Sequence, residues 1–173
     1  MGIPVLIMGK SGSGKSRSMK NCVGKDFGLI RVLNKPLPFR GKIPGNVCSD
    51  YVKIKAAVKN PQWPKSIVID DAGYLITGQF MDGHNTTGKG NAVFGLYNQL
   101  ADDFYRLVKA IADEAPPDRI VYVIMHEDTN EYGDIKPKTI GKLLDEKVCL
   151  EGMFTIVLRA VKGERYAFVT QSR

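Results

Sequence analysis

The chain has 173 residues, enough for one well-buried domain and too few for two comfortable ones. With 43% hydrophobic and 25% charged residues and no low-complexity tract, it is neither a disordered nor a fibrous sequence. Lys plus Arg outnumber Asp plus Glu by 25 to 18, and the net charge of +7 suits a polyanionic partner.

Residues 3–8 form a continuous apolar run of the kind buried inside a parallel sheet. Residues 14–23 predict a short helix and 27–33 a second strand, while 35–47, rich in proline and glycine, predict a loop. Ser49-Asp50 has the form of an N-cap for a helix over 51–58, which Pro61 and Pro64 close off. Residues 66–69 predict a strand that stops at Asp70-Asp71. The stretch 77–91, TGQFMDGHNTTGKGN, predicts a long glycine-rich loop.

Between 93 and 115, Phe94, Tyr97, Leu100, Phe104, Leu107, Val108 and Ile111 recur at spacings of three and four, the pattern of an amphipathic helix. Residues 119–125 predict a third central strand, 127–138 a polar, turn-rich loop, and 139–149 a short helix. Residues 155–160 and 166–170 flank VKGER as a β-hairpin. The alternation predicts one α/β domain over 1–173, a mostly parallel sheet flanked by helices with a C-terminal antiparallel hairpin. The chain stops just after a strand, as would one whose natural form continues into a tail.

No apolar run reaches the roughly 20 residues that cross a bilayer, and the N-terminal one lacks the basic flank of a secretory signal. A cytoplasmic protein without a membrane partner is expected. Cys22, Cys48 and Cys149 form no C-x-x-C pair, so reduced thiols are expected in place of a disulfide framework or zinc site.

Between the first strand and first helix lies GKSGSGKS, residues 9–16, with the spacing G-x-x-x-x-G-K-[ST] of a phosphate-cradling loop. Gly9, Gly12 and Gly14 let the backbone turn tightly, so that the N–H groups across Lys10, Ser11 and Ser13 converge on phosphate oxygens. Lys15 is placed to reach the β- and γ-phosphates, Ser16 to put its hydroxyl on Mg²⁺, and Arg17 flanks the nucleotide. ATP and Mg²⁺ are the expected ligands. Asp70, at the carboxyl end of SIVIDD, supplies the second metal-side acid; Asp71 is placed to polarise an attacking water, or else to cap the next helix.

D-x-x-G at 70–73 also fits a switch GTPase, but the guanine-reading N-K-x-D is missing. Small-molecule kinases on the same loop remain an alternative, although the candidate lid at 127–138 has no arginine. An ATP-dependent packaging or assembly module is a further one.

With GKSGSGKS, IVIDD, and the strand-end IMHE followed by YGDIKPKTIGKLLDEK, the order of parts resembles the RecA-like P-loop ATPases. It is similar in particular to small phage-encoded ones associated with single-strand annealing and recombination. The resemblance spans roughly residues 3–170. It implies an ATPase acting in DNA recombination or replication in the host cytoplasm, working on single-stranded DNA and as a homo-oligomer. It implies that His126 is a γ-phosphate sensor, although a lone histidine also serves structurally.

The resemblance further implies that 77–91 and 127–138 are DNA-binding loops, with Lys89, Lys136 and Lys138 on backbone phosphates. Arg159, Lys162 and Arg165 of the late hairpin become candidates for acting on a neighbouring subunit's nucleotide. One departure stands out. The family's catalytic glutamate after the second strand is absent; Asn34-Lys35-Pro36 stands there, leaving Asp71 for the role or a slow enzyme.

Overall fold

The computed structural model describes residues 1–88, 90–141, 144 and 148–170. It is an α/β fold around one mixed, mostly parallel sheet. In chain order the elements are β1 (Ile3–Gly9), α1 (Lys15–Ser18), β2 (Phe27–Arg31), β3 (Gly45–Val47), α2 (Tyr51–Lys59), β4 (Ser66–Asp70) and α3 (Gly73–Gly83). There follow α4 (Asn91–Glu114), β5 (Ile120–Thr129), β6 (Ile135–Pro137), β7 (Ile156–Lys162) and β8 (Tyr166–Thr170). The spatial order is β3-β2-β4-β5-β1-β7-β8, with β6 pairing antiparallel to the far end of β5. β5 therefore lies between β1 and β4, and β7–β8 closes the other side as an antiparallel hairpin.

The central strands β1, β2 and β4 are buried on both faces, as their near-continuous apolar runs require, whereas the edge strands β3 and β8 are exposed. Alternation along β1 sends Leu6 and Met8 to one core, shared with Ile54 of α2, Ile76 of α3 and Phe104 of α4. Val5 and Ile7 point to the other core, with Met19, Phe27, Leu29 and Ile124, covered by Leu37, Phe39 and Ile43 from the loop after β2. Asp50 caps α2 as expected, its Oδ1 accepting from the N–H groups of Val52 and Lys53 at 2.7 and 3.1 Å.

Several expected boundaries are corrected. The helix expected over 14–23 is a single α turn that tightens into a 3-10 turn at Met19–Cys22. The segment 45–47, expected within a loop, is an edge strand parallel to β2. The loop expected over 77–91 is instead helical through residue 83, because Leu75 and Ile76 are buried while Phe80 packs on Tyr97 of α4. Gly83 faces Leu96 of α4: a Cβ there would stand 2.9 Å from Leu96 Cδ1, which would have to shift.

Residues 127–138 are not a loop but largely a hairpin, with Glu127–Thr129 facing Ile135–Pro137. The turn is built by Asn130, whose Oδ1 accepts from the N–H groups of Tyr132 and Asp134. On α4 the expected apolar face is buried from Leu100 onward, whereas Phe94 stays exposed. Of the helix expected at 139–149, residues 142, 143 and 145–147 lie outside the described residues, while 139–141, 148 and 149 are not helical.

Arg119, buried just before β5, ties the end of α2 to the sheet. Its guanidinium donates to the carbonyls of Val58, Asn60 and Trp63 at 2.7, 2.8 and 2.6 Å. Arg119→Ala strands these acceptors, and a loss of roughly 2–3 kcal/mol is expected in urea unfolding. A loss below about 0.5 kcal/mol, the size of an ordinary surface substitution, would refute the anchoring role.

Candidate functional site

The loop 9–16 follows directly from β1 and ends where α1 begins. Gly12 and Gly14 take the left-handed φ values of 77° and 92° that turn the chain back on itself. Gly14 has a second constraint, since a Cβ there would stand 2.9 Å from the ring of Tyr166. Lys15 is buried, and its Nζ donates to the carbonyls of Gly9 at 2.6 Å and Lys10 at 2.8 Å, holding the loop closed on its own ammonium. Burial pushes its pKa down, while Asp71, Glu127 and Asp70 oppose that shift.

Sheet order brings distant residues to this loop. Ser16 Oγ donates to Asp70 Oδ1 at 2.9 Å across 54 positions of sequence. Asp70 is only 2% exposed, and burial, reinforced by the neighbouring Asp71 charge, raises its pKa. Asp71 has a left-handed φ of 59° and does not cap α3, whose N-cap is Ala72. Its carboxylate is ion-paired with Lys35 and lies 3.9 Å from His126 Nε2.

In register His126 stands opposite Gly9, so the end of β5 delivers it beside the loop. Burial, then the Lys15 charge, holds its pKa below the ordinary histidine value. That direction favours the uncharged ring, in which form its contact with Asp71 is not an ion pair.

A cavity of about 410 Å³ opens over the loop, lined by Gly12, Lys15, Lys35, Asp71, His126 and Tyr166 among others. A second, of about 580 Å³, lies beyond His126 and shares it and Ser11 with the first; Lys10, Tyr74, Glu127 and Lys138 also line it. Ser13 lies within the loop with its Oγ buried and without a hydrogen-bond partner.

The remaining candidates are scattered. Lys138 lines the second cavity, and its N–H donates to His126 O at 2.7 Å. Lys136 stands on β6, opposite Asp128. Arg17 lines the first cavity together with Pro38, and its guanidinium donates to the Pro38 carbonyl at 2.6 Å. Arg159 makes a two-pronged pair with Glu127 of its own chain at 2.8 and 2.9 Å, which draws the Glu127 pKa down. Lys162 sits over the Tyr166 ring, 5.8 Å from its centroid, and Arg165 is in the exposed hairpin turn. Lys89 lies outside the described residues.

Sequence reading passed over Lys35, Glu127 and Tyr166 as site residues. Lys35 stands just where the acid after the second strand was sought, and the structure places a cation there on Asp71. Tyr166 is 150 positions from Ser16 with no motif to join them; only strand order shows the proximity. No protein-family model matches the chain, and no curated protein is significantly similar to it.

Proposed function

We propose that the protein is a RecA-like P-loop ATPase that hydrolyses ATP with Mg²⁺ and works on single-stranded DNA as a homo-oligomer. The observation that carries this reading is the Ser16–Asp70 hydrogen bond, which joins the end of the 9–16 loop to the acid at a neighbouring strand end. Insertion of β5 between β1 and β4, with His126 at its end, also supports it.

Magnesium binds through one or two protein oxygens plus phosphate and water, so Ser16 and Asp70 fit it, even though no trio of acidic, His or Cys side chains clusters among the described residues. The ion would neutralise charge developing on the transferred phosphoryl group. The loop amides and Lys15 hold the phosphates. A water held by Asp71 attacks the terminal phosphorus in line, its proton passes to Asp71, and the bond to the ADP oxygen breaks. Asp71 can do this only after Lys35 releases it, which makes phosphate the natural new partner for Lys35. His126 is placed to hydrogen-bond the terminal phosphate.

For DNA, support comes from the +7 charge, the lysines around the second cavity, and Tyr132, 90% exposed at the tip of the β5–β6 hairpin. The second cavity also favours one other reading, a kinase whose acceptor would sit beyond His126.

ATP hydrolysis with and without single-stranded DNA, at about 50 and 200 mM salt, tests the proposal. Stimulation that fades at the higher salt is expected. Hydrolysis indifferent to DNA would overturn the DNA-coupled reading, and ADP formed only when a nucleoside or nucleotide acceptor is added would establish the kinase instead.

A further inference from the structure

Tyr166 is an outlying residue in the fold and a central one in the cleft. It opens β8, an edge strand of the sheet, and is 63% exposed, yet its ring stands 2.9 Å from where a Cβ on Gly14 would be and lines the cavity over the loop. Among the described residues it stacks on no other aromatic ring. Lys162 stands over the ring, and the core does not require the side chain.

Position in the sheet gives the ring a direction. β5 and β4, carrying His126 and Asp70, lie on one side of β1; β7 and β8 lie on the other. Tyr166 and Gly14 line the same cavity as Lys15, Asp71 and His126, so a triphosphate whose terminal group reaches those three has a path back across the loop toward β8. Its base then arrives at the lip where Tyr166 stands.

We infer that Tyr166 is the base-stacking platform of this site, so that nucleoside triphosphates bind by their base on β8 as well as by their phosphates on the loop. This rests on the nucleotide reading proposed above. Lys162 braces the ring, and the base takes the exposed part of the ring that faces the cleft. Every base has a π-face, so stacking supplies affinity with modest choice between bases, purines gaining from their larger rings.

Calorimetric titration of ATP and of inorganic tripolyphosphate, each with Mg²⁺, into wild type, Tyr166→Ala and Tyr166→Phe separates the two contributions. Tyr166→Ala is expected to weaken ATP binding by roughly 5- to 100-fold while leaving tripolyphosphate unchanged. Tyr166→Phe, which keeps the ring, is expected to bind ATP within about twofold of wild type, since the hydroxyl adds little to stacking. Equal weakening of both ligands would make Tyr166 a support for the Gly14 turn and overturn the inference. Unchanged ATP binding in Tyr166→Ala would overturn it too, with the phosphate site left standing. If wild type binds neither ligand, the nucleotide reading fails first and the stacking platform with it.

Discussion

Lys15→Met is expected to reduce ATP hydrolysis by on the order of 10²–10³-fold and to leave the fold intact. The ammonium is the buried cation of the 9–16 loop, 6% exposed, and it spends its protons on the carbonyls of Gly9 and Lys10. Phosphate oxygens would compete for those protons, converting neutral hydrogen-bond partners into charged ones. Methionine keeps most of the aliphatic stem and removes the charge together with its hydrogen bonds to the carbonyls of Gly9 and Lys10. Burial lowers the pKa of Lys15, so relief of its desolvation offsets part of the loss of its two hydrogen bonds, and a stability loss of no more than about 1–2 kcal/mol is expected. Steady-state hydrolysis and urea unfolding of the same preparation check both halves. Wild-type turnover in Lys15→Met would remove the phosphate-binding role of the loop; a collapse of stability would mean that Lys15 is chiefly a structural clasp.

Asp70→Asn should separate function from stability in the opposite direction. The carboxylate is buried beside Asp71, and its pKa is raised, first by burial and then by that neighbour. An acid whose folded pKa is raised contributes stability below the ordinary aspartate range and loses it as pH rises through the raised value. At neutral pH the charge is therefore a liability without a bound cation. Asparagine retains an oxygen to accept from Ser16 Oγ while deleting the charge.

The expected result is a rise of about 2–4 °C in the midpoint of thermal unfolding at pH 7, about what 1 kcal/mol gives a domain of this size. That gain should disappear as pH falls through the raised pKa of Asp70, because protonation then removes the same charge. Magnesium-dependent hydrolysis should fall by roughly a hundredfold or more. A variant less stable than wild type at pH 7 would show that Asp70 is held by more than Ser16, and full activity would remove it from the metal side of the mechanism.

Much of this architecture is written locally. The apolar run before GKSGSGKS, the glycines within it, the 3.6-residue period of α4, the Asp50 cap and the alternation in β7 and β8 each depend on neighbours a few residues away. They are readable without knowing where the chain goes next. Local signals also misled. Gly78 and Gly83 disguised α3, whose helix is retained because Leu75 and Ile76 are buried under it. The polar stretch after His126 hid a strand, since β6 is defined by pairing to β5 and has no apolar run of its own.

The arrangement around the loop had to wait for tertiary structure. The glycine spacing, Lys15 and an acid at a strand end were present in one dimension. That Ser16 meets Asp70, that Lys35 answers Asp71, that Glu127 engages Arg159 in the same chain, and that Tyr166 overhangs Gly14 are consequences of strand order. Placing β5 between β1 and β4, and β7–β8 on the far side, sets which strand ends face one another. Contacts across a sheet join residues whose separation along the chain carries no periodic signal, so they come into view only when the sheet is assembled.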